Sequence, residues 1–426
     1  MPDAPAGTSR LRAVLAGWRA PQHRDGLALV LSSGLTSVIG LLYWVVAARL
    51  FPPDVVGVSN TLISTMTLIG VAAQLNLGNA LLRFAPVAER SARRLVFTCY
   101  AVGAVAAAVA GGVFALGAGW WAPELQQAVG AGPLAAFFVL STPIWTVFVI
   151  QDYVLTAVKR ATIVPLENLV FSLLKIALLG VGALVAFGGA IAVSWIVATA
   201  LIVLAITAYL LRVLPARDEP PATSPVRPRD VARFVSADWT GGLFTNAVEF
   251  GLPLLVLVTL GAEQAATFGV AWAIAYGLYL VSHGMGQSLV AHVAADPAAL
   301  EAARRGTVTR SLALILPAAL VIVPGAGLIL SIFGEHYAAT GTTLLALASL
   351  SAVPNVIVTA ALFGARVQQQ RAVLVGVPAA VAVLVIPPAL VLMPTLGLAG
   401  VGVALLVGQS VVAVAILIRH WISRRA

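Results

Sequence analysis

A chain of 426 residues that is 60% apolar, only 10% charged and has a mean hydropathy of +1.00 cannot solvate the surface of a water-soluble globule, in which about a quarter of the residues are charged. This excludes a soluble enzyme, a disordered chain and, despite the formal net charge of +9, a nucleic-acid binder, and leaves a polytopic membrane protein. The single cysteine, Cys99, excludes an intrachain disulfide and a cysteine-built metal cage.

A spanning helix needs about 20 mostly apolar residues. Twelve such stretches run along the chain, at 27–48, 55–82, 95–118, 134–156, 163–187, 189–211, 239–260, 265–294, 307–333, 339–365, 372–392 and 397–418. The breaks between them carry Pro52-Pro53, Pro123, Gly188-Gly189, Pro297 and Pro394, with a Pro- and Arg-rich linker over 212–233. Other prolines (Pro143, Pro253, Pro317, Pro324, Pro354, Pro378, Pro387) fall inside spans, where neighbouring helices can satisfy the freed carbonyls.

Placing residues 1–26 in the cytoplasm puts 23 of the 25 Lys and Arg on inside segments, Arg49 on an outside one and Lys175 within a span. The positive-inside rule therefore supports the span count and an orientation with residues 1–26 and 419–426 both cytoplasmic. The linker splits the chain into an N-lobe, 27–211, and a C-lobe, 234–418, of six spans each. Landmarks recur between them: Asp54 with Glu263, Gly57-Val58 with Gly269-Val270, Arg160 with Arg371, and Gly188 with Gly397. Because six is even, the repeats are parallel, an architecture of alternating-access transporters with the substrate site between lobes.

Taken in chain order, the polar residues within spans are the candidate site. Arg49 stands at the outer mouth. Asn76, Asn79 and Arg83 fall within about 40° of one another on the second span and form either a helix end at the head groups or a cytoplasmic gate for pyrophosphate, since Arg suits bidentate phosphate contacts. Asp152 and Glu167 lie inside the fourth and fifth spans. Lys175 is at mid-depth, where a charge costs about 2.5–3.5 kcal/mol. Glu167, about 12 Å along the same helix, is too far to neutralise it. Lys175 is then a paired or snorkelling lysine, or a lumenal cation for an anionic head group. Asp238 and Glu249 share a face of the seventh span. Asp238 can be solvated at the helix end, whereas Glu249 is buried by sequence and suits proton or sodium coupling. Asp152, Glu167 and Asp238 are further coupling candidates. His283 and His292 face opposite ways and form no metal site. Tyr43-Trp44, Trp120-Trp121 and Trp421 suit an interfacial belt, and Trp145, Trp195, Trp239 and Trp272 suit packing or sugar stacking.

The run Ala48-Arg49-Leu50-Phe51-Pro52-Pro53-Asp54-Val55-Val56-Gly57-Val58 resembles the first outside turn of the oligosaccharide-flippase family, the polysaccharide-transporter branch of the multidrug/oligosaccharidyl-lipid/polysaccharide (MOP) exporter superfamily. Gly78-Asn79-Ala80-Leu81-Leu82-Arg83-Phe84 and Leu396-Gly397-Leu398-Ala399-Gly400-Val401-Gly402-Val403-Ala404 are similar to that family's second-helix end and last-helix start. The resemblance implies a V-shaped, MATE-like, two-lobe flippase. It would move a polyprenyl-pyrophosphate-linked oligosaccharide across a bacterial cytoplasmic membrane in cell-surface polysaccharide biosynthesis. It implies no cofactor, and as partners the lipid-linked substrate, membrane lipids, H+ or Na+, and glycosyltransferases or a polymerase of the same pathway. Twelve spans depart from the fourteen of the lipid II flippase branch. An ion-coupled multidrug exporter of the same fold is the nearest alternative. A membrane glycan polymerase or acyltransferase is disfavoured by short outside loops and poorly placed histidines, and the absence of a phosphate-cradling loop argues against nucleotide hydrolysis.

Overall fold

The computed structural model describes residues 39–85, 92–160, 162–185, 188–214, 228–293, 300–368 and 370–423. Among these the chain is all-helical. The helices are α1 (Ile39–Leu50), α2 (Pro53–Ala73), α3 (Leu77–Phe84), α4 (Ala92–Trp121), α5 (Pro123–Val129), α6 (Ala131–Ala157), α7 (Ile163–Leu184), α8 (Ala190–Val213), α9 (Pro228–Leu260), α10 (Ala262–Val293), α11 (Leu300–Ser331), α12 (Glu335–Val367), α13 (Arg371–Leu396) and α14 (Leu398–Ser423). Eleven are long and apolar enough to cross a membrane, and the chain is a multi-pass membrane protein. In lipid every backbone polar group must be satisfied within the chain, which selects helices. The first span, 27–48, lies mostly outside the described residues; its described part is the shorter apolar helix α1.

Two sequence expectations are corrected. The stretch 55–82 is two helices, because Leu75 and Asn76 take positive φ values of 52° and 57° and close α2 before α3 begins. Pro394 does not end a span. It lies inside α13, which stops at Gly397, a residue at φ 58° that a side chain would strain. The outside stretch after the third span holds the short helix α5, which Pro123 starts. The ends of the linker 212–233 are helical, α8 reaching Val213 and α9 starting at Pro228; 215–227 lie outside the described residues.

The packing of one half repeats in the other. In the first half α6 packs on α2, α4 and α8, and α7 packs on α8. In the second half α12 packs on α10, α11 and α14, and α13 packs on α14. In span order, the fourth, touching the second, third and sixth, is matched by the tenth, touching the eighth, ninth and twelfth. The halves meet along a seam in which α2 lies against α9 and α10. The buried core continues through it, from Tyr43, Ile63 and Met66 to Leu252, Phe268 and Val270. Outward faces remain apolar, as with Leu116, Leu184, Leu320 and Leu328, which is what a lipid-facing surface requires.

Small residues make the seam close. A Cβ on Gly57 would run into the Ala262 carbonyl and the Ala266 amide, and one on Gly269 would run into the Asn60 side chain. Glycine lets two helix backbones approach in this way, and dispersion then holds them. The two glycines that recur between the halves in sequence therefore both lie on the α2–α10 contact.

Candidate functional site

Lys175 is buried, at 3% exposure. Its Nζ lies 3.8 Å from the Trp195 ring centroid and 4.8 Å from those of Tyr43 and Phe171. The rings come from α8, α1 and α7, so the lysine is enclosed within one half of the molecule by three aromatic faces. Trp195 in turn contacts Tyr43, Trp44, Trp145 and Phe171. Tyr43 is locked by donating to the Ile191 carbonyl at 2.7 Å and by pairing with Ser194 Oγ at 3.0 Å. Among the described residues no carboxylate pairs with the amine. Ring quadrupoles stand in for a counter-ion, each desolvated contact worth up to about 2 kcal/mol.

About two turns nearer the start of α7, a second polar group is buried in the same half. Glu167 is 3% exposed, and neither of its carboxylate oxygens has a hydrogen-bond partner. Asp152 on α6 lies within electrostatic range of it, and its Oδ1 is also buried without a partner. Tyr100 on α4 lies within range of both carboxyls. Lys175 and this acidic group are therefore separate sites.

The second half holds its own carboxylate. Glu249 on α9 is buried and accepts from the Tyr276 hydroxyl at 3.0 Å through Oε2, while its backbone carbonyl accepts from Trp272 Nε1 at 2.9 Å. On α12 and α14, Thr359 donates to Asn355 Oδ1 at 3.1 Å, and Asn355 donates to Gln409 Oε1 at 3.5 Å. Asp238 stands on α9, but its side chain lies outside the described residues, as do those of Arg83 and His292.

At the seam, Arg49 reaches from α1 to the far half. Its Nε donates to the Ile332 carbonyl at 2.9 Å and its Nη2 to the Ser331 carbonyl at 3.0 Å. These are the end carbonyls of α11, which lack helical partners and favour a cation. Trp239 Nε1 donates across the same seam to the Ala72 carbonyl at 2.9 Å. The stripe of Asn76, Asn79 and Arg83 does not lie on one helix. Asn76 sits in the break before α3, where its Oδ1 accepts from Asn79 Nδ2. The helical spacing that joined all three residues fails at the left-handed Leu75 and Asn76.

The belt reading of Tyr43 is corrected, because the residue is fully buried with its hydroxyl bonded to Ile191 and Ser194, and sequence reasoning overlooked Tyr100, Gln151 and Tyr276, all buried or half-buried polar groups inside spans. Gln151, an amide next to Asp152 in an apolar run, is the one a sequence signal could have found.

No protein-family model and no curated protein matches the chain. Solved structures do match. One described as the inward-facing conformation of a multidrug resistance MATE family transporter of the MOP superfamily aligns at TM-score 0.69 and 16% identity, over 91% of this chain and 95% of that one. The lipid II flippase MurJ in an inward closed conformation aligns at TM-score 0.69 and 12% identity, over 92% and 87%. The MATE multidrug transporter DinF-BH aligns at TM-score 0.66 and 16% identity, over 95% and 96%. At these identities the likeness is one of fold, and this chain has the fold of MATE transporters and of MurJ.

Proposed function

We propose that the protein is an alternating-access flippase or exporter. It moves a polyprenyl-pyrophosphate-linked oligosaccharide across the bacterial cytoplasmic membrane during assembly of a cell-surface polysaccharide. The reading rests chiefly on the seam. Two helix sets with the same internal packing meet mainly through α2, α9 and α10, and at the Arg49 end they are held by glycine contacts and one arginine. Two helix sets of like packing that meet along one seam are what a rocking transporter needs. By the distribution of basic residues the Arg49 end faces outward and both terminal segments face the cytoplasm, so the state described is closed to the outside.

The anionic cargo is supported by Lys175, a buried amine that pairs with no carboxylate among the described residues. Arg49, Asn76, Asn79 and Arg83 are the further substrate contacts we assign, Arg49 when the clasp to α11 opens. Glu249, Glu167, Asp152 and Asp238 are the coupling groups for H+ or Na+, and glycosyltransferases or a polymerase of the pathway are the partners.

The second reading, an ion-coupled multidrug exporter, is favoured by the pairing of Glu249 with Tyr276 beside Trp272, an arrangement suited to a cationic aromatic. One experiment separates the two. A deletion strain should accumulate a lipid-linked glycan on the inner leaflet and keep normal resistance to cationic dyes. Dye hypersensitivity without glycan accumulation would support the exporter instead.

A further inference from the structure

The amine of Lys175 fills a cage whose walls are held without it. Phe171 lies one turn before Lys175 on α7, and Tyr43 and Trp195 bring the other two ring faces from α1 and α8. Each wall has partners of its own. The Tyr43 hydroxyl bonds the Ile191 carbonyl and Ser194, and its ring meets Trp44 and Trp195 edge-on. Trp195 is backed by Trp145. Phe171 meets Phe148, which stacks on Trp145 at 5.3 Å. Trimming the lysine would therefore leave the rings standing around an empty space. That space has a definite chemistry. Ring faces carry negative quadrupole charge, and several of them turned to one point are how proteins hold organic ammonium ions. Lys175 supplies such an ion from within the chain, on a side chain too buried to snorkel. Filling the space does not by itself call for a charge, since an apolar side chain of similar shape would avoid the desolvation cost.

We propose that the cage of Tyr43, Phe171 and Trp195 is a site for an organic ammonium ion, and that Lys175 is its built-in occupant and so bars alkylammonium ions from the first half of the molecule. Lys175 is then a specificity determinant. It blocks the one enclosure in the described residues where three ring faces converge on a cation, and its own charge repels a second cation nearby. The exclusion of cations deepens the anionic-cargo reading and rests on that reading only for its purpose in transport.

The test uses the purified full-length chain without substrate, its thermal unfolding followed as n-propylammonium chloride replaces sodium chloride at constant ionic strength. Lys175→Ala removes Cγ, Cδ, Cε and Nζ, the heavy atoms of n-propylammonium, so the probe restores what the variant lacks. 1-Propanol, equal in size and uncharged, is the control, because a bare apolar cavity binds neutral molecules as well. In Lys175→Ala, n-propylammonium should raise the melting temperature in a saturable way, as a ligand of the folded state must. Its midpoint should lie about tenfold below that of 1-propanol. The wild type, with its cage filled, should show no saturable response. Adding Trp195→Leu to Lys175→Ala should cut the preference for the ammonium to about threefold or less. Equal midpoints for the two probes would show a cavity without preference for a cation and overturn the proposal. So would the lack of a saturable response in Lys175→Ala, a wild-type response as large as the variant's, or a preference that Trp195→Leu leaves unchanged. Should Lys175→Ala not fold, Lys175→Val with methylammonium against methanol makes the same comparison. Glycan accumulation is read separately in cells, so the cage and the transport reading can fail independently.

Discussion

The guanidinium of Arg49 donates to the carbonyl of Ile332, 283 residues away and in the other half of the molecule. With the second bond to Ser331 it forms a clasp across the seam. The clasp is exposed and screened by solvent, so its two bonds together contribute about 1 kcal/mol. Arg49→Ala should therefore shift the balance of conformations about fivefold towards separation of that end. Spin labels at Asp54 and Glu263 in a Cys99→Ser background would report it as a growing long-distance population. An unchanged distance distribution would show that the clasp holds nothing.

The glycine contact predicts an ordered pair of effects. Gly57→Ala drives a methyl into backbone, the Ala262 carbonyl, which cannot move without the helix. Gly269→Ala meets only the Asn60 side chain, which can turn away. Overpacking costs about 1–3 kcal/mol, so Gly57→Ala should lower the melting temperature clearly and Gly269→Ala by less. The reverse order would contradict the packing described for α2 and α10.

For Lys175 the cage separates packing from charge. Lys175→Met keeps most of the volume and removes a buried charge whose desolvation costs several kcal/mol. It should be as stable as the wild type or more so, while transport of an anionic cargo falls. Lys175→Ala leaves a cavity among Tyr43, Phe171 and Trp195 and should cost about 2–4 kcal/mol. Lys175→Arg keeps the charge and should retain more transport than Lys175→Met. Full transport by Lys175→Met would remove this residue from the substrate path.

Sidedness is testable at α5. Gln126 has a buried side-chain carbonyl, whereas Gln127 is exposed. In a Cys99→Ser background, Gln127→Cys should react with an impermeant thiol reagent in whole cells and Ser224→Cys should not. The opposite result would invert the orientation proposed here.

The order of amino acids alone carries the local, one-dimensional properties of this protein. Apolar runs of sufficient length mark the spans, because each helix must satisfy its own backbone in lipid. Basic residues mark their ends, because charge is costly to translocate. Glu167, Lys175 and Glu249 stood out for the same reason, and all three are buried. Packing between helices settled which way side chains face. In a water-soluble helix polar residues mark the outer face, but here lipid and bundle interior both favour apolar groups, so the periodic contrast is lost. Nothing in the spacing of Tyr43, Phe171 and Trp195 shows that they converge on one lysine. Nor does any sequence signal show that Gln151 spends its amide hydrogens on Val203 and Thr207 of α8. The break at Leu75 and Asn76 escaped for a different reason. Asn76 suits the left-handed backbone it adopts, but one such residue in a long hydrophobic run does not by itself mark the end of a span.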